Sequence, residues 1–261
     1  MPINSDVAAR LARLFDRSAS LAFEVAKYEN MGIKIVTRAD SEYPQKLKKK
    51  LASMCPPLFY YAGDINLLNK PVVGYVGSRD VDSDVSEFAS RTLLKTISNG
   101  FGVVSGGAKG VDTVAEQESF SHNSPIIEFL SDSMLRRMRS GAVVRAIQDG
   151  ILLLISPAKP DAGFNAGMAM MRNKYIYAQS EATIVVKSDY KKGGTWTGAI
   201  ENLDNGWVKE FCWSNKKFAG NMELIRRGAI PIDDDWNGDI NAGGEEPSHY
   251  VQESIFDKKI N

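Results

Sequence analysis

The chain has 261 residues, with 32 basic against 32 acidic side chains, 43% apolar and 25% charged residues. The balanced charge excludes a global positive field for nucleic acid, so any such binding has to come from a local basic patch. Cys55 and Cys212 lie far apart in no metal-ligand spacing and read as buried thiols of a reducing compartment; no signal-peptide core or membrane span is legible, so a cytoplasmic protein with no membrane partner is expected.

Residues 5 to 30 read as two short helices, with Val7, Leu11, Leu14 and Phe15 at helical spacing in the first and Leu21, Phe23 and Val25 turned inward in the second. Gly32 ends the pair. Ile33 to Val36 is a short extended segment, Asp40 to Pro44 a turn, and Gln45 to Leu51 a basic helix that Pro56-Pro57 terminates. From Leu58 the rhythm changes. LFYY, VVGYV (72–76), GVVSGG (102–107, a strand with its exit loop), PIIEFL (125–130), ILLLIS (151–156), ATIVVK (182–187) and Glu210 to Trp213 are short, mostly apolar runs, as strands covered on both faces require. Helices are expected over 83–98, 111–121, 134–139, 143–149, 165–179, 195–203 and 222–227. This alternation predicts an α/β fold, a doubly wound, mostly parallel sheet. Residues 236 to 261 lose periodicity and read as a flexible acidic tail.

In such sheets ligands bind beyond the carboxyl ends of the strands, so chemistry is sought in the exit loops. Four segments there carry small residues and cations. The first is Gly77-Ser78-Arg79, where glycine admits backbone N–H groups to an anion and a hydroxyl and a guanidinium can join them. The second is Ser105-Gly106-Gly107-Ala108-Lys109-Gly110, a phosphate cradle by composition but neither a Walker loop nor a GxGxxG fingerprint. Asp112 behind it is placed to cap a helix. The third is Arg172-Asn173-Lys174-Tyr175-Ile176-Tyr177, two cations and an amide for phosphate with two aromatics for base stacking. The fourth, Lys191-Lys192-Gly193-Gly194-Thr195, opens a helix whose free amides and dipole favour an anion, and it is the most specific of the four.

A catalytic set is missing. His122 and His249 stand outside the exit loops, no acidic cluster has metal spacing, and the carboxylates behind the second and fourth loops, Glu116 and Glu201, are placed as ordinary helix glutamates. The expectation is a phosphate binder, not an enzyme, with no cofactor and no metal.

The motifs in this order resemble the DNA processing protein A (DprA/Smf) family. They are Asp40 with Tyr43-Pro44, Pro57-Leu58-Phe59-Tyr60 with Gly63-Asp64, Val76-Gly77-Ser78-Arg79, Ser105 to Asp112, Arg172-Asn173-Lys174-Tyr175-Ile176, Gly193-Gly194-Thr195 and Leu224-Ile225 with Gly228-Ala229. The resemblance implies a Rossmann-like domain over 43–235 behind a helical region over 1–42, with single-stranded DNA as ligand. It further implies a homodimer and a RecA-type recombinase as partner, in natural transformation or, for a divergent branch, mobile-element or phage defence. By position, Ser78, Arg79, Arg172 and the lysines near 191 would contact the DNA backbone. The chain departs from the family pattern in having Glu116 where a histidine is usual, Lys174 in place of an arginine, and Trp196 after the last loop. A nucleotide-binding sensor or nucleotide-cleaving enzyme on the same fold is the other reading.

Overall fold

A strand buried on both faces needs apolar side chains at every position, and Val72–Val76 (β3) shows this, with all five residues buried. The computed structural model describes residues 4–241. In chain order it contains helices Ser5–Phe15 (α1) and Ser18–Glu29 (α2), strand Lys34–Thr37 (β1), helix Gln45–Leu51 (α3), strand Leu58–Ala62 (β2) and then β3. Helix Ser83–Ser98 (α4), strand Gly102–Ser105 (β4), helix Val111–Ser121 (α5), strand Ile126–Phe129 (β5), helices Met134–Arg137 (α6) and Gly141–Gln148 (α7), and strand Leu152–Ser156 (β6) follow. Helix Ala166–Gln179 (α8), strand Ala182–Val185 (β7), helix Gly193–Asn205 (α9), strand Lys209–Trp213 (β8), helix Ala219–Arg226 (α10) and strand Ile230–Ile232 (β9) complete it.

The described strands form one sheet in the order β1-β2-β6-β5-β4-β3-β7-β8-β9. From β6 to β9 every pairing is parallel, while β2 runs antiparallel to β6 and β1 to β2. Alternation divides the side chains between two cores. Val73, Tyr75, Val103, Leu152, Leu154, Ile184 and Phe211 meet α4, α5 and α7 on one face. Val72, Val76, Val104, Leu153, Ile155, Val185 and Cys212 meet α3, α8, α9 and α10 on the other. Phe88 of α4 lies flat on Trp213 of β8, ring centroids 4.1 Å apart, fixing that helix over the sheet. No helix among the described residues is long and apolar enough to cross a membrane.

Four expectations need correction. Leu21 and Phe23 are 57% and 80% exposed, not turned inward; α2 holds the sheet through Tyr28, whose ring meets Tyr60 edge-on at 5.8 Å. The N-terminal region is not a separate helical unit, because β1 extends the sheet as its edge strand before residue 42. β9 has no counterpart in the sequence reading; Ile230-Pro231-Ile232 is too short to show a period, and its proline suits an edge strand. Finally, Trp236 and Ile240 are buried in the same core as Phe211, so the stretch 236–241 is anchored to the sheet by these two side chains. The remainder of the expected tail lies outside the described residues.

Candidate functional site

The strand order reverses beside β3: β4, β5 and β6 follow on one side, β7, β8 and β9 on the other. The crevice beyond the carboxyl ends of β3 and β7 is therefore where this topology places a ligand. Three exit loops interlock there. The Ser78 N–H donates to the Lys187 carbonyl at 3.0 Å, and the Val111 N–H to the Ser78 carbonyl at 3.4 Å. Lys187 Nζ donates to the Asp80 carbonyl at 2.9 Å. The approach requires glycines. A Cβ on Gly77 would run into Val111, and one on Gly110, with φ +81°, would collide with the Ser78 carbonyl.

These loops and one side of α8 enclose a cavity of about 430 Å³. From the first loop it takes Gly77, Ser78 and Arg79; from the second, Lys109 and Asp112. Helix α8 supplies Arg172 and Asn173, and the fourth loop Lys192, Gly193, Gly194 and Thr195. Asn173 Nδ2 donates to the Gly194 carbonyl at 3.0 Å, which ties α8 to the start of α9. Gly198 brings the two helices together, since a Cβ there would sit 3.1 Å from the Tyr177 ring. No side chain caps the α9 N-terminus at Lys192, so its first amides keep their capacity for an anion.

Arg172 dominates the electrostatics. It is 6% exposed, and its Nε and Nη1 have no hydrogen-bond partner among the described residues. Burial pulls its pKa below the usual guanidinium range; Asp112 opposes the shift and the like charge of Arg79 reinforces it. Asp112 Oδ2 stands 3.6 Å from Nη1, but the same oxygen already accepts from the Ala108 N–H at 3.0 Å. A buried guanidinium this short of acceptors, facing a second one, favours an anion beside it. Gly106 makes room for it: a Cβ there would overlap the Arg172 guanidinium.

Other sequence candidates fall elsewhere. Ser105 is buried, its hydroxyl without a partner among the described residues. Gly106 and Gly107 line an adjacent cavity of about 610 Å³ that shares Arg79, Lys109 and Phe164 with the first and also includes Glu116 and Arg137. Under it lies Glu128, fully buried, whose carboxyl burial raises to about 7 against the pull of Arg137. Lys174 points away and pairs with Glu201. Lys191 lies outside the cavity lining, its ammonium 5.1 Å from the Tyr190 ring centroid. Tyr175 and Tyr177 cannot stack bases, because both are buried in the core. Phe164 is the aromatic at the cavity instead; it is 57% exposed, with Arg79 5.7 Å above its ring. It sits in the Gly-Asn-rich stretch 162–167 after β6, the true exit loop of that strand, where an isolated aromatic was the available signal. Lys187 and Met170 also line the cavity. Both carboxylates behind the second and fourth loops are tied up, Glu116 to Arg137 and Glu201 to Lys174.

The sequence model of the family described as DNA recombination-mediator protein A matches residues 34–237. DNA processing protein DprA of Bacillus subtilis (strain 168) is 26% identical over 215 residues, covering 80% of this chain and 71% of the relative. Protein Smf of Synechocystis sp. (strain ATCC 27184 / PCC 6803 / Kazusa) is 26% identical over 220 residues, covering 79% of this chain and 53% of Smf. Among solved structures, DNA processing protein A from Streptococcus pneumoniae superposes with a TM-score of 0.71 at 22% identity, covering 88% of this chain and 80% of that one. DNA processing protein A from Helicobacter pylori, whose structure addresses its single-stranded DNA binding mode, gives 0.62 at 22% identity, covering 77% and 90%. These two likenesses show the same mixed α/β, Rossmann-like fold.

Proposed function

The chain belongs to the DNA recombination-mediator protein A family, and on that premise we propose that it binds single-stranded DNA through the phosphate backbone at the carboxyl ends of β3 and β7. The observation that carries this reading is Arg172, a buried guanidinium whose Nε and Nη1 find no hydrogen-bond partner among the described residues, in the wall of a cavity that also holds Arg79, Lys109 and the uncapped start of α9. A phosphate against Arg172 and the α9 amides relieves the repulsion between Arg79 and Arg172 and satisfies backbone groups at the same time. Phe164 beside Arg79 offers a face on which a base can stack, as sequence-tolerant strand binders require.

In this reading the protein is a recombination accessory factor that binds and presents a strand and performs no reaction on it. The pairing of Glu116 and Glu201 with cations supports that assignment. The family membership further supports a homodimer that delivers the strand to a RecA-type recombinase, which sedimentation and a strand-exchange assay with the recombinase would test.

A cavity of about 430 Å³ also fits a single nucleotide, which is the competing reading. Titration of labelled oligonucleotides at several salt concentrations, beside a panel of mononucleotides, separates the two. The DNA reading expects oligonucleotide affinity that falls steeply with salt. Salt-insensitive binding of a mononucleotide, without affinity for oligonucleotides, would replace it.

A further inference from the structure

Tyr190, Lys191 and Trp196 fall outside the phosphate cavity, yet they build an ordered surface at its rim. Asp189 and Lys192 both line the cavity and form an antiparallel bridge, with the Lys192 N–H donating to the Asp189 carbonyl at 3.2 Å. The two residues between them, Tyr190 and Lys191, therefore occupy the tip of a tight turn at the cavity mouth. Lys191 takes φ +54°, a left-handed conformation that glycine or asparagine would adopt with less strain. The turn holds Tyr190 outward, 47% exposed, where most large aromatic residues among those described are buried.

The Tyr190 ring is held in place. Trp196 packs against it edge-on, centroids 5.2 Å apart and planes at 81°. Lys191 Nζ stands 5.1 Å from the Tyr190 centroid, and Arg227 Cζ 5.9 Å from that of Trp196. Arg226 extends beside them, 71% exposed at its side chain. Glu223 and Asp189 are the facing carboxylates, and Glu223 is engaged by Arg226 and Arg227. An oriented, half-exposed ring flanked by Lys191, Lys192, Arg226 and Arg227 combines a stacking face with cations for a phosphate chain.

Resting on the single-strand reading above, we propose that this patch is a second DNA contact: the strand leaves the phosphate cavity past the α9 N-terminus, stacks a base on Tyr190, and runs its next phosphates along Lys191 and Arg227. Trp196 is a positioning residue that fixes the Tyr190 ring. A partner protein would use the patch without lengthening the DNA footprint, so oligonucleotide length decides between them.

The test is fluorescence anisotropy of the full chain with labelled thymidine oligonucleotides of increasing length, roughly 4 to 16 nucleotides, the range of known strand-site sizes. Wild type, Tyr190→Ala, Tyr190→Phe and Arg79→Ala are compared after their melting temperatures have been matched. We expect Tyr190→Ala to bind the shortest strand like wild type but to lose roughly tenfold in affinity for the longer ones. Tyr190→Phe, which keeps the ring, retains the gain with length, and Arg79→Ala weakens binding at every length. Equal binding of long strands by Tyr190→Ala and wild type, with Arg79→Ala impaired, would overturn the second contact and leave the cavity reading intact. A uniform loss at all lengths in Tyr190→Ala would also overturn it, by making Tyr190 part of the cavity. If wild type binds no oligonucleotide, both readings fall together.

Discussion

Arg172 and Gly106 work as a pair, and the pairing makes a specific demand. Gly106→Ala puts a methyl group where the guanidinium lies, and the flexible end of a long side chain yields more readily than the β4 exit. Oligonucleotide affinity in Gly106→Ala should therefore fall about as far as in Arg172→Ala, measured by anisotropy. Unchanged affinity would show that Arg172 is not held where the strand needs it. Glu210 makes a different residue-scale prediction. Burial raises its carboxyl to about 8, with the Asn202 amide opposing the shift. Because the folded state holds the proton more tightly than the unfolded state, stability is highest below about 4.5 and falls as pH rises through 8. Glu210→Gln keeps an acceptor for Asn202 and cannot ionise. It should flatten that part of the stability–pH curve in urea unfolding, gaining on the order of 2–4 kcal/mol relative to wild type above pH 8. An unchanged slope between pH 5 and 8 would show that Glu210 does not carry it.

At the scale of elements, the exit loops of β3 and β4 form one unit because Gly110 lies against the Ser78 carbonyl. Gly110→Ala forces a side chain into a left-handed conformation and against backbone at once. It should cost about 2–4 kcal/mol in chemical denaturation and splay the loops that hold Ser78 and Arg79. Most elements were legible in the sequence because buried parallel strands are continuous apolar runs; VVGYV and ILLLIS left little choice. Two kinds of element were not. Ile230-Pro231-Ile232 is shorter than any period. The orientation of α2 depends on a sheet edge that β1 and β2 create by antiparallel pairing, which residue pattern alone does not specify. The loops were legible as composition, not as contacts. Gly193-Gly194-Thr195 could be placed at a helix start, but the same reading grouped Lys174 with Arg172, and one helix places them differently: Arg172 in the cavity wall, Lys174 on Glu201. Tyr175 and Tyr177 were misread for the same reason, since a 14-residue helix lying on the sheet buries its last turn and a half.

At the scale of the whole molecule, a chain with no net charge gathers positive charge in one place. Its cations are distributed, and topology collects a few of them at one edge: the order reversal beside β3 brings Arg79, Lys109, Arg172 and Lys192 from four separate stretches to one cavity. Sequence spacing could show that three of the four segments lie at strand ends, the one with Arg172 falling inside α8, but not which two strands flank the reversal, and the cavity depends on that fact. The most direct test is the slope of log binding constant against log salt for a single-stranded oligonucleotide, measured for wild type and Arg79→Ala. Each phosphate contact contributes a slope of about −0.7 on single strands. A steep wild-type slope that becomes shallower by about one contact in Arg79→Ala, with the melting temperature unchanged, is the result expected of a phosphate-backbone site. Binding whose salt dependence is the same in both proteins would contradict it.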